Sequence, residues 1–126
     1  MIRVRQAEPS EIETILAILD GAVLETDRDV VRRSISNGRT LVAVEDDRML
    51  GAVVACPADT GVRIDAIAVR KRRQDQGIGT VLVNRLLDHH GRVVAEFGER
   101  VRAFYESLAF EISGREAGRY RGVGTV

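Results

Sequence analysis

Between Val62 and His90 the periodicity of the chain changes once, and glycine marks the change. "VRIDAIAV" alternates at period two, as a strand does, with Arg63, Asp65, Ile67 and Val69 on one face and Val62, Ile64, Ala66 and Ala68 on the other. Four cations follow, Arg70, Lys71, Arg72 and Arg73, and then Gln74-Asp75-Gln76. From Gly77-Ile78-Gly79 the apolar residues recur at helical spacing, with Ile78, Val81, Leu82, Leu86 and His89 on one stripe. A strand that turns tightly into a helix leaves the first backbone N–H groups of that helix unpaired, which makes an anion site. Gly77 and Gly79 expose that backbone and accept positive φ, and the helix dipole adds about half a positive charge. Solvated cations on an ordinary strand-to-helix connection would look the same in sequence. The third glycine of a dinucleotide fingerprint is missing, as is the Gly-Lys-Ser/Thr of a nucleotide-triphosphate loop, so those two readings drop out.

The flanking segments supply a sheet and more helices. Ile2 to Arg5 reads as a short strand, and "EPSEIETILAILDG" as a helix with Ser10 and Glu13 as a capping box, Ile12, Ile15, Leu16 and Leu19 inward, and Gly21 at its end. A second helix capped by Asp27 or Thr26 buries Val30, Val31, Ser34 and Ile35 and stops at Asn37-Gly38. "RTLVAVEDDRMLGAVVACP" is a hairpin turning at Asp46-Asp47-Arg48 and stopped by Pro57. Past the glycine-rich helix come a strand in "RVVAEF", a short helix in "ERVRAFYESLAF" running into a strand, and a terminal strand in "RYRGVGTV". The order describes a mixed sheet with helices packed on it, α/β or α+β in class. With 126 residues the whole chain, 1–126, is expected to form a single domain.

Nineteen basic and nineteen acidic side chains cancel, so any anion site is local rather than a global attraction to nucleic acid or a membrane surface. The basic run also lacks the interleaved aromatics of a single-strand binder. The one cysteine, Cys56, allows no internal disulfide and reads as packing. No apolar run approaches the roughly 20 residues of a membrane span, and the start has no signal-peptide layout, so the cytoplasm is the expected address. His89 and His90 end a helix, where a cation is welcome, and no third ligand is spaced for a metal.

Taken together, "AIAVRKRRQDQGIGTVLV" resembles the coenzyme-binding signature of the GNAT family, the Gcn5-related N-acetyltransferases, whose Gln/Arg-x-x-Gly-x-Gly/Ala core appears as Gln74 to Gly79. Downstream, "RAFYESLAF" is similar to the family's "A-x-x-FY-x-x-x-GF" segment, one helix and one strand later. The resemblance implies a mixed, mainly antiparallel sheet flanked by about four helices. It also implies acetyl-coenzyme A as co-substrate and no metal. The strand end Ile67, Ala68 and Val69 would offer backbone hydrogen bonds to the pantetheine arm and hold the oxyanion. Asp75, Gln76, Gly77, Ile78, Gly79 and Thr80 would wrap the pyrophosphate, with Gln74 bracing the turn. Any of Arg70, Lys71, Arg72 and Arg73 could meet the 3′-phosphate. Two positions depart from the pattern: Ala109 replaces the glycine of "GF", and Gly98 aligns with an asparagine that touches coenzyme in many members.

The activity so implied is transfer of an acetyl group to a primary amine, on a small molecule or a protein, by direct attack in a ternary complex. An alkyl amine is only about 0.1% neutral at pH 7, so a base or water chain must deprotonate it. Tyr105 takes the family's general-acid position, while Asp65 and Glu96 stand equally as base candidates, each also readable as the partner of an arginine. The absence of an obvious base keeps open a catalytically silent coenzyme-binding sensor. The acceptor would be shaped by Ser10 to Gly38 and Glu111 to Val126, where Glu25, Asp27 and Asp29 face Arg115, Arg119, Tyr120 and Arg121 in sign. The acceptor amine is unidentified, no nucleic-acid or membrane partner is expected, and a homodimer is left open.

Overall fold

The computed structural model describes residues 1–21, 27–114 and 116–126. Seven strands form one sheet: β1 (Arg3–Gln6), β2 (Thr40–Glu45), β3 (Arg48–Pro57), β4 (Val62–Val69), β5 (Arg92–Gly98), β6 (Glu111–Gly114) and β7 (Arg119–Thr125). The helices are α1 (Ile12–Gly21), α2 (Arg28–Ser36), α3 (Ile78–His90) and α4 (Arg102–Ser107). The sheet order is β1-β2-β3-β4-β5-β7-β6, antiparallel throughout except where β4 meets β5. Parallel neighbours need a crossover, and α3 provides it. This is the mixed, mainly antiparallel α/β architecture with four helices that the sequence led us to expect.

Local chemistry explains the elements. The β2–β3 hairpin turns through Asp46 and Asp47, both at positive φ (50° and 63°), the twist that a two-residue hairpin requires. Asp27 caps α2 by accepting from the Asp29 N–H at 2.8 Å, and Asn37 and Gly38 (φ 69°) end it. Thr26, the other cap candidate, lies outside the described residues. The first helix starts differently from expectation. Pro9–Glu11 form a 3₁₀ turn, and the reciprocal box joins Glu8 to Glu11, not Ser10 to Glu13. Arg5 fixes this choice by gripping the Glu11 carboxylate with two bonds of 2.9 and 2.8 Å, while Glu13 pairs with Arg28.

Two cores sandwich the sheet. On one side α1 and α2 bury Ile15, Ile18, Leu19, Val31 and Ile35 against Val42, Val54, Ala66 and Ala68. On the other, α3 and α4 cover Val53, Val62, Ile64, Val93 and Phe97. The buried stripe of α3 is Ile78, Leu82, Val83, Leu86 and Leu87. Val81 and His89, expected on it, are exposed; the helix is rotated so that the adjacent pairs 82–83 and 86–87 straddle the core. Among the described residues, no helix is long and apolar enough to cross a membrane.

β4 also departs from strict alternation. Its register with β3 runs Val54↔Ala66 and then Ala55↔Ile64, leaving Asp65 as an extra residue. One inserted residue exchanges the faces. Val62 and Ile64 therefore share a core with Ile67 and Val69, while Ala66 and Ala68 turn to the other.

Candidate active site

The bulge at Asp65 bends β4 where it leaves its neighbour. Pairing of β4 with β5 is confined to Val62↔Val93 and Arg63↔Val94. Beyond that point, among the described residues, no further pair joins the two strands, and a V-shaped cleft opens toward their C-terminal ends. Backbone groups of Ile67, Ala68 and Val69 lie along one wall. The closed end is sealed by Gly61, whose positive φ (76°) brings the β3–β4 turn so close to Arg92 that a Cβ would overlap the Arg92 carbonyl.

At the open end the chain passes from β4 into α3. Gln74 donates to the Val69 carbonyl at 3.1 Å and so ties the loop back to the strand. Asp75 (φ 63°) and Gly77 (φ 81°) make the left-handed turns that aim the chain into the helix. Gly77 is the N-cap, and no side chain caps the helix there. A Cβ on Gly77 would meet nothing within 4 Å. Gly79 lies against α4 instead, since a Cβ there would sit 3.4 Å from the Phe104 ring, in ordinary van der Waals contact. Contact between Gly79 and Phe104 joins in space the two motifs that lie apart in sequence.

The four cations separate by role. Arg70 Nε donates to the Met49 carbonyl at 2.7 Å, and Arg73 bonds Glu45 at 2.9 Å and Gln76 at 2.8 Å. Both are built into the fold. Lys71 and Arg72 are exposed, with no ion pair among the described residues.

Tyr105, on the buried face of α4, sits in an aromatic cluster, its ring stacked on Phe97 at 4.4 Å and flanked by Phe104 at 5.0 Å and Phe110 at 5.4 Å. It is 4% exposed, and burial pushes its phenol up to about 12. The cluster fits because β7 carries glycine on that face. A Cβ on Gly124 would overlap the Phe110 ring, and one on Gly122 would lie 3.0 Å from Phe97. Sequence reading passed over these glycines, although Gly-x-Gly inside a strand signals a close approach.

The two base candidates are not brought together. Asp65 is exposed at the bulge near Cys56, whose thiol is raised first by burial and then by this carboxylate. Glu96 lies on the β5 face opposite Phe97 and lines a cavity of about 430 Å³ with Arg63, Val94, Arg92, Arg121 and the turn Ala58–Thr60. Of the other residues expected to shape the acceptor, Asp27 is the α2 cap, Asp29 pairs with Arg32 at 2.9 Å, and the Tyr120 ring has Arg102 4.7 Å over it. Glu25 and Arg115 lie outside the described residues. Among the described residues no group of three His, Cys, Asp or Glu side chains is placed to hold a metal.

Among curated proteins, none matches the sequence. Solved structures match its fold closely. Ard1 from Thermoplasma volcanium superposes with a TM-score of 0.81 at 19% identity, over 99% of this chain and 97% of that one. N-acetylglutamate synthase from Neisseria gonorrhoeae, complexed with coenzyme A and N-acetyl-glutamate, gives 0.83 at 16% identity; 99% of this chain spans 35% of the synthase. The ribosomal-protein-S18-alanine N-acetyltransferase from Escherichia coli gives 0.76 at 17% identity, over 98% and 91%. The family model described as an acetyltransferase (GNAT) domain matches residues 36–112, from the end of α2 into β6. That span holds the strand, the glycine turn and the Phe104-Tyr105 segment together, and the chain belongs to the GNAT acetyltransferase family.

Proposed function

We propose that the protein transfers an acetyl group from acetyl-coenzyme A to a primary amine by direct attack in a ternary complex. The observation that carries this reading is the cleft between β4 and β5, with the uncapped N-terminus of α3 at its mouth. The residues fit the coenzyme: α3 begins at Gly77 with no side chain capping its first N–H groups, and a Cβ there would meet nothing within 4 Å. The synthase of like fold was crystallised with coenzyme A, which supports the same assignment.

In this reading N–H groups from Asp75 to Thr80 cradle the pyrophosphate, and Gln74 holds the loop in shape through Val69. Lys71 and Arg72 face the 3′-phosphate, since Arg70 and Arg73 are committed to Met49 and Glu45. Ile67, Ala68 and Val69 bind the pantetheine arm as a neighbouring strand would. The bound coenzyme supplies a thioester whose carbonyl carbon accepts the amine and whose sulfur leaves. Glu96 takes the proton of the acceptor ammonium through water, being the base candidate that lines the cavity. Tyr105 donates a hydrogen bond from its neutral hydroxyl to the departing sulfur.

The test is release of coenzyme thiol on adding amines to purified protein and acetyl-coenzyme A, with the acetylated product identified by mass. Amine-dependent thiol supports the reading. Tight coenzyme binding without any amine-dependent thiol is the signature of the silent sensor and would replace it.

A further inference from the structure

The cavity at the closed end of the cleft is lined by five charged side chains. Arg63, Arg92 and Arg121 line it with Glu96 and Asp59, and none of the five forms an ion pair among the described residues. Some arginines elsewhere do pair with carboxylates: Arg5 with Glu11, Arg32 with Asp29, Arg73 with Glu45. Glu96 and Arg121 are even direct cross-strand neighbours on β5 and β7. Oppositely charged neighbours normally pair in such positions. In the cavity only Arg92 is occupied, by the Thr60 carbonyl at 2.9 Å.

Position matters as much as charge. Val93, Ala95 and Phe97 of β5 point into the α3 core, so Val94 and Glu96 face the opposite side, where α1 and α2 cover β2 to β4. Arg63 is half of the last β4–β5 pair and Glu96 lies two residues beyond its partner Val94, so the cavity opens where the cleft begins. At about 430 Å³ it is the size of a small-molecule site, not of a folded protein's docking face.

We propose that the acceptor is a small amino acid with a free carboxylate, held by Arg63 and Arg121 while Glu96 receives its ammonium group. This rests on the acetyl-transfer reading above. Guanidinium groups bind carboxylates through paired charge-assisted bonds. A polyamine would meet three arginines, and a lysine side chain would bring no carboxylate to satisfy them. In the transfer the ammonium first loses one proton through Glu96 and water, the freed nitrogen forms the new C–N bond as the C–S bond breaks, and the second nitrogen proton passes through water to the departing thiolate.

The experiment titrates the twenty common L-amino acids, their carboxamides and spermidine into protein saturated with coenzyme A, by calorimetry. Thiol release from acetyl-coenzyme A is measured with the same compounds. At least one amino acid is expected to exceed its carboxamide about tenfold in both binding and kcat/KM. Arg63→Gln and Arg121→Gln should bring that ratio toward one, with coenzyme affinity reporting that each variant is folded. Carboxamides equal to the acids, a preference for spermidine, or no amino acid bound to the loaded protein would overturn the proposal. Thiol release with acids and amides alike removes the carboxylate clamp and leaves acetyl transfer standing. Acid-selective binding without thiol release keeps the clamp and removes acetyl transfer.

Discussion

At Tyr105, burial decides what a phenol can contribute. Protonating a thiolate of pKa about 8.5 from a group at about 12 is uphill by roughly 5 kcal/mol, so in the proposed mechanism its help would be a hydrogen bond. Tyr105→Phe keeps the aromatic stack and is expected to lower kcat about tenfold or more with little change in coenzyme affinity. The tyrosine should add no alkaline limb to the pH–rate profile below pH 10, and a limb that Tyr105→Phe abolishes would assign it full proton transfer. Ala109 offers a second test. It takes the left-handed conformation (φ 60°) where the family pattern has glycine, in the turn closed by the Ala109 N–H to Glu106. Relief of that strain outweighs the greater chain freedom of glycine, so Ala109→Gly should stabilise by about 0.5–1 kcal/mol, read from the urea midpoint.

The elements themselves were largely legible in the sequence, because period-two and helical patterns alternate cleanly and turn residues stand between them. What the pattern hid was a single residue. Asp65 continues the alternation of "VRIDAIAV" in sequence, yet the register with β3 makes it the bulge that exchanges the faces of β4. Nothing local to the strand announces this, since pairing with β3 decides it. Ser10 misleads for a similar reason: the box forms at Glu8 because Arg5, six residues before Glu11, anchors that carboxylate. The glycines of β7 were readable as an approach site, but not what approaches. Gly124→Ala would force Phe110 to move and should destabilise by about 1–3 kcal/mol, measured by urea unfolding. Thr40→Val would strip the buried Ser34 hydroxyl of its 2.7 Å partner, with a cost of about 1–3 kcal/mol by the same measurement.

For the whole molecule, the turn into α3 was legible in the sequence and the cavity beside β5 was not. A glycine turn keeps its residues at fixed spacing, which a sequence displays; the cavity gathers Arg63, Glu96 and Arg121 from three strands, which a sequence does not. Charge also enters through His90, held below the usual imidazole range mainly by burial and then by His89 and Arg39. A lowered folded pKa means that the unfolded chain binds more protons in the window from about pH 6.5 down to the folded value. Stability should fall as pH drops through that window, and His90→Gln should flatten the fall. The cradle at the mouth of the cleft is best probed by calorimetric titration of coenzyme A into wild type, Gly77→Asp and single alanines at Arg70, Lys71, Arg72 and Arg73. Phosphate held by backbone N–H groups requires binding by wild type, loss in Gly77→Asp, modest weakening at Lys71 and Arg72, and altered stability more than affinity at Arg70 and Arg73. Gly77→Asp binding like wild type, or every single alanine losing as much as Gly77→Asp, would rule out a backbone cradle there.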